Sequence, residues 1–133
     1  QRLEGFPTVI YTQESMEKQR KVIRSEVELD EFLNSVDKSG LLQMRESINF
    51  GKDMILAVSS ETNDEVGRKI KIRKVHEDKE KRKIVVEIEE KKPGETCNPE
   101  IDKNITVDMV KISKTDWEID FDRVIKVEEC LDD

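Results

Sequence analysis

Gly67-Arg68-Lys69-Ile70-Lys71-Ile72-Arg73-Lys74-Val75 opens a stretch, running on to Val127, in which short apolar/charged alternations recur four times between turn signals. Ile70 and Ile72 fall on one side of an extended chain, and Lys69, Lys71 and Arg73 on the other. That is the period-two signature of a strand with one oily and one wet face. Val75 is odd where the isoleucines are even, so a bulge near Arg73-Lys74 is expected. Glu77-Asp78-Lys79-Glu80 supplies a turn. From Lys83 to Glu89, Ile84, Val86 and Ile88 point inward, and the pair reads as a hairpin with Lys/Arg facing Glu across it. Lys92-Pro93-Gly94-Glu95-Thr96-Cys97-Asn98-Pro99 is the strongest loop signal in the chain. Asn104 to Ser113 is a further strand. Ile105, Val107 and Met109 alternate before Val110 and Ile112 take over, which predicts either another bulge or two buried faces. Thr115-Asp116 turns the chain, and Glu118 to Val127 closes the sheet with Ile119, Phe121, Ile125 and Val127, its phase shifting near Asp122-Arg123.

Toward the N-terminus, Ile48-Asn49-Phe50-Gly51 leads into Met54–Ser59, a strand apolar on both sides and therefore central in its sheet. One helix is well marked. Ser25 can cap it while Glu28 reaches back to the Ser25 amide. Leu29, Phe32, Leu33 and Val36 then make one apolar stripe, and Asp37-Lys38-Ser39-Gly40 stops the helix with glycine in the left-handed cap. Leu41 to Ser47 reads as a connection. Thr8-Val9-Ile10-Tyr11 and Gln19-Arg20-Lys21-Val22-Ile23 read as an N-terminal strand or hairpin, with Gln13 to Lys18 open to a helical reading. No internal repeat or low-complexity linker divides the chain. The expectation is one domain over 1–133, with a strand region at 8–23, a helix at 25–36 and a sheet core at 48–127. Its class is α+β: one N-terminal amphipathic helix packed on a curved, mostly antiparallel sheet, sandwich- or half-barrel-like.

The chain of 133 residues is 35% apolar and 41% charged, enough for a thin core without a metal. A net charge of −7 argues against a generic nucleic-acid or anionic-membrane surface. The basic run Arg68, Lys69, Lys71, Arg73, Lys74 continues at Lys79, Lys81, Arg82 and Lys83, but no aromatic residue is interleaved as a stacking platform. The longest apolar run, Met54 to Val58, is far short of the roughly 18 residues of a membrane span. No basic start followed by an apolar stretch occurs at Gln1, so no export signal is expected within this chain.

Carboxylates are abundant, yet they fall at outward positions among lysines, as on a solvated face. His76 ends a strand beside Glu77 and Asp78 with no Ser or Cys nucleophile in its segment. Asn63, Asp64 and Glu65 carry oxygens but not the spacing of a calcium loop. Asn104-Ile105-Thr106 fits the N-glycosylation pattern within a strand. Cys97 and Cys130 are compatible with one disulfide or with two free thiols, and neither sits in a core pattern. A bridge between them would be worth roughly 3–4 kcal/mol in the chain-entropy account. No catalytic residue, metal ligand or cofactor is therefore expected, and the chain reads as a non-enzymatic binding module. Its expected contact loops are Ser60–Gly67 and Lys92–Lys103. They present Asn63, Asp64, Glu65, Val66, Gly67 and Arg68 in the first, and Pro93, Gly94, Asn98 and Pro99 in the second. Entry of one of these loops into a protease cleft is the alternative reading.

Three segments resemble the domain family named for the C-terminal domain of PrcB, a protease-complex subunit. They are Ile48-Asn49-Phe50-Gly51-Lys52-Asp53-Met54-Ile55-Leu56-Ala57-Val58, Lys92-Pro93-Gly94-Glu95-Thr96-Cys97, and Asp108-Met109-Val110-Lys111-Ile112. In order and spacing they are similar to that family's strand entry, Pro-Gly-x-x-Cys loop and valine-lysine-isoleucine strand, over about Ser25 to Cys130. The chain departs from the family pattern at Glu65-Val66-Gly67-Arg68, where a Gly-Gly-aromatic turn is usual, and at Ile105-Thr106-Val107-Asp108, which lacks a proline. The resemblance implies an exported, non-catalytic domain of the cell envelope or extracellular space that contacts a protein partner, such as an envelope protease. It also implies a Cys97–Cys130 bridge.

Overall fold

Met54-Ile55-Leu56-Ala57-Val58 places apolar side chains on both faces of one strand, so any fold containing it must cover that strand twice. The computed structural model describes residues 1–37 and 46–130 and shows how this is done. The expected Gly40 cap, most of the Leu41–Ser47 connection and Leu131 lie outside the described residues. The elements run β1 (Thr8–Tyr11), β2 (Gln19–Ile23), α1 (Glu26–Val36), β3 (Asp53–Ser59), β4 (Asn63–Glu65), β5 (Lys69–Asp78), β6 (Lys83–Pro93), β7 (Ile101–Ser113) and β8 (Glu118–Glu128).

The strands form two sheets. The first has the order β1-β7-β3-β2, with β4 continuing the line of β3 along β7; the second has the order β5-β6-β8. In the first sheet Leu3, Ile55, Ala57, Ile105, Val107 and Met109 pack under Leu29, Phe32 and Val36 of α1. On its other face Met54, Leu56, Val58 and Val110 meet Ile70, Ile72, Ile84, Val86 and Ile88 of the second sheet. A helix layer, a middle sheet buried on both faces and an outer sheet buried on one follow in order.

The expected α+β class, with an N-terminal helix on a single curved sheet, is thereby overturned. The protein is mostly β, its two sheets stay open, and the one helix among the described residues follows β2. The reason is area: an eleven-residue helix cannot cover both sides of β3 and β7, so the single-faced strands assemble as a separate layer. The helix itself lies where its cap predicts, with the Ser25 hydroxyl accepting from the Glu28 amide at 3.2 Å, but the Glu28 carboxylate reaches one residue further back than expected and accepts from the Arg24 amide at 3.2 Å. β1 and β2 do not form a hairpin; they occupy opposite edges of the first sheet. Residues 13–18 are not helical.

β5 and β6 form the expected hairpin, and the register slips between Ile72 and Lys74 as the phase change requires. Of the two readings open for β7, two buried faces is the one found, since Asn104 through Val110 are all buried. β8 departs most from expectation. It lies parallel to β6, from Lys83 opposite Glu118 to Pro93 opposite Glu128. Parallel neighbours need a crossover, and here the crossover is β7 itself, which belongs to the other sheet.

One buried ion pair ties the layers. Asp108, fully buried on β7, accepts from the Ile72 amide at 2.7 Å and from Arg2 Nη2 at 2.8 Å, while Arg2 Nη2 also donates to the Ile72 carbonyl at 2.6 Å. The hydrogen bond to Asp108 raises the Arg2 pKa above its ordinary value, against the opposing pull of burial. With its carboxylate so fully bonded, Asp108 is tolerated where an unpaired charge would not be.

Candidate functional site

Gly67 and Gly94 show how two loops far apart in sequence are brought together. Gly67 has φ 116°, and a Cβ there would sit 3.0 Å from Pro93 Cγ, so the turn after β4 lies directly on the end of β6. The Val66 amide donates to the Glu100 carbonyl at 2.9 Å, and Asn104 Nδ2 donates to the Glu65 carbonyl at 3.0 Å. Both sequence-nominated loops therefore meet at one pole of the molecule.

That pole is cross-braced. Cys97 and Cys130 form a disulfide, closing the loop after β6 onto the chain leaving β8. The Gly94 amide donates to the Glu128 carbonyl at 3.0 Å, the Cys97 amide to the Gly94 carbonyl at 3.1 Å, and the Cys130 amide to Thr96 Oγ1 at 2.8 Å. Thr96 Oγ1 in turn donates to Glu129 Oε2 at 3.2 Å. A Cβ at Gly94 would fall 1.2 Å from Glu129 Oε1, so a side chain there requires the flexible Glu129 carboxylate to swing aside. The loop is thus held in one shape by covalent, backbone and side-chain bonds together.

Between the two loops runs a groove of about 280 Å³. Of the ten nominated contact residues, Val66, Gly67, Pro93, Asn98 and Pro99 line it. Asn63 and Arg68 line a smaller neighbouring hollow instead, while Asp64, Glu65 and Gly94 line neither. Lys92, the first residue of the second expected loop, lines it too, while sequence reasoning missed Lys69, Lys91 and Glu128. The signal was weak but present: Lys91-Lys92 directly precede the loop's Pro93, and Glu128 precedes the Cys130 tail by two residues. Lys91 bridges the charges of the rim, with Nζ 3.7 Å from Glu89 and 3.8 Å from Glu128.

The groove's walls combine valine and proline with lysine, and its sulfurs are tied in the disulfide. Such a lining can grip an extended segment but offers no activated nucleophile. His76 is exposed on β5, opposite Val85 and away from this groove. Asn63 is buried, its amide 3.5 Å from Ser60 Oγ, and no cluster of three metal-ligating side chains occurs among the described residues. The glycosylation triplet is folded away: Asn104 is fully buried, with its amide donating to the Glu65 and Asp102 carbonyls. No helix among the described residues is long and apolar enough to cross a membrane. The disulfide is of a kind that persists in oxidising surroundings. Compared with protein-family models, curated proteins and solved structures, the chain matches none of them.

Proposed function

We propose that this chain is a non-catalytic binding module of an oxidising compartment, secreted or attached to the cell envelope, whose contact surface is the disulfide-braced pole. The observation that carries the reading is the convergence of Val66–Gly67 and Pro93–Pro99 on one groove whose loop is fixed before any partner arrives. A loop held in place loses little conformational freedom on binding, which favours affinity. The resemblance to the PrcB C-terminal domain family adds the class of partner, an envelope protein such as a protease or a subunit of its complex.

A photo-crosslinking side chain at Asn98, compared with one at Glu17 on the far side of the sequence, tests this in envelope extract. A discrete adduct from position 98 and none from position 17 is the expected result. Equal labelling from both positions, or none from either, rejects the pole as a contact surface.

The braced loop also favours a second reading, a protease inhibitor in which Glu95 to Asn98 enter a substrate cleft, because inhibitory loops depend on rigidity. Slowing of one member of a panel of secreted proteases by micromolar domain supports it. Uniform lack of inhibition removes it without touching the first reading.

A further inference from the structure

Next to the braced pole, the two sheets part beside Thr106 and leave adjoining hollows of about 320 and 90 Å³ that share Lys69, Ile70, Lys91 and Thr106. Three features there have no structural explanation of their own. First, Thr106 is 2% exposed, yet its hydroxyl has no hydrogen-bond partner. An unsatisfied buried polar atom costs on the order of 1–3 kcal/mol, and Thr106 lines both hollows. Second, next to Glu90 of the smaller hollow but outside the lining of both, Arg20 Nη1 is buried without an acceptor, and Arg20 Nη2 lies 3.9 Å from Glu90, too far for a hydrogen bond. Burial lowers the Arg20 pKa, and nearby Arg123 pushes it the same way, against Glu90. A positive group is held there at some cost.

Third, the charge lining these hollows runs against that of the chain. Seven Lys and Arg side chains face three carboxylates, Glu61, Glu89 and Glu90, in a protein whose net charge is −7. Of the seven, only Lys91 and Arg123 make ion pairs among the described residues. Lys69 and Lys91 stand directly opposite each other across β5 and β6, a like-charge pairing that ordinarily destabilises a sheet. The wall between these charges is apolar, formed by Pro7, Val9 and Ile70.

We infer that this inter-sheet hollow binds a small amphipathic anion, a carboxylate or phosphate head on a short alkyl tail. The tail lies along Val9 and Ile70, and the head takes the free Thr106 hydroxyl and the Lys69–Lys91 pair as donors. A cavity of this size sits at the lower end of small-ligand sites, which limits the tail to a short chain. The site shares Lys69, Lys91 and Lys92 with the braced pole, but the inference uses neither the disulfide nor Asn98 and Pro99.

Titration of the isotope-labelled protein, followed through its amide resonances, tests it with four probes: octanoate, octyl phosphate, 1-octanol and acetate. Saturable shifts at Lys69, Ile70 and Thr106 are expected with at least one of the two anionic amphiphiles. Octanol and acetate should bind at least about tenfold more weakly, the loss of one charge-assisted contact or of the apolar tail. A response to octanoate alone assigns a carboxylate head, and one to octyl phosphate alone a phosphate head. Thr106→Val keeps shape and removes the hydroxyl, and Lys69→Met with Lys91→Met removes the charges at one exposed and one half-buried position. Each should weaken binding about tenfold with the fold's spectrum retained. Asn98→Arg at the pole should leave it unchanged. Absence of saturable shifts with both anions, equal affinity for octanol, or unaltered binding by both variants overturns the inference.

Discussion

β7 and β8 are long strands of similar composition, thirteen and eleven residues, yet seven consecutive positions of β7 are buried and none of β8 is. β7 lies between the helix layer and the outer sheet, with β1 on one side and β3 on the other. β8 has β6 on one side only, and its far half runs past the cover of the middle sheet, leaving Val124, Ile125 and Val127 between 42% and 56% exposed. Side-chain pattern makes each a strand. Cover alone decides which one carries stability and which one carries surface.

The sharpest break of this contrast is at Asp108, the buried charge of β7. Asp108→Ala strands Arg2 and the Ile72 amide and should cost about 3–5 kcal/mol, read from urea unfolding. A loss within experimental error would mean that the ion pair does not join the layers. Replacing both cysteines by serine should cost about 3–4 kcal/mol in the chain-entropy account. Hydrogen exchange should then quicken at Val124 to Val127 while Ile105 and Val107 stay protected. Equal quickening in both strands would erase the distinction drawn here. Met109→Ala on β7 should cost about 3 kcal/mol by opening a cavity, whereas Val127→Ala on β8 should stay within about 0.5 kcal/mol. Comparable losses at the two positions would show that exposure is not what separates them.

The smallest effect concerns charge. Glu89 is held below its ordinary value of 4.5, chiefly by the hydrogen bond from Lys126 on β8, with Lys91 and Arg73 helping. A depressed carboxylate stabilises the fold above its ordinary pKa, and that contribution fades as pH falls through the lowered value. Lys126→Ala should therefore return the Glu89 pKa upward in a carbon-detected titration and flatten the acid limb of the stability profile. No movement of Glu89 would show that β8 does not hold it.

Local pattern was readable wherever one face of an element was dry. The cap at Ser25, the stripe through Leu29, Phe32 and Val36, and the phase slip at Arg73 all lie in the sequence and in the structure. The centrality of β3 was legible from its two apolar faces. What could not be read was the partner of each face. Ile84, Val86 and Ile88 look the same whether they meet a helix or another sheet, so the second layer was folded into one. β8 carries no mark of direction, because parallel and antiparallel edges present the same alternation. At the site, Gly67, Pro93 and Pro99 announced turns, and the groove follows from their meeting. Lys69 and Lys91 were hidden within strand alternation, and Thr106 within a glycosylation-like triplet.

The course of the chain through β6, β7 and β8 has a further consequence. It stitches the outer layer, crosses to lay a central strand in the middle layer, and returns to finish the outer edge. A single cut between Pro93 and Ile101 would therefore unpick both layers at once. Such a scar falls inside the span from Cys97 to Cys130 only when made beyond Cys97, where the sulfur bond would still hold the loose ends like a knot behind a seam.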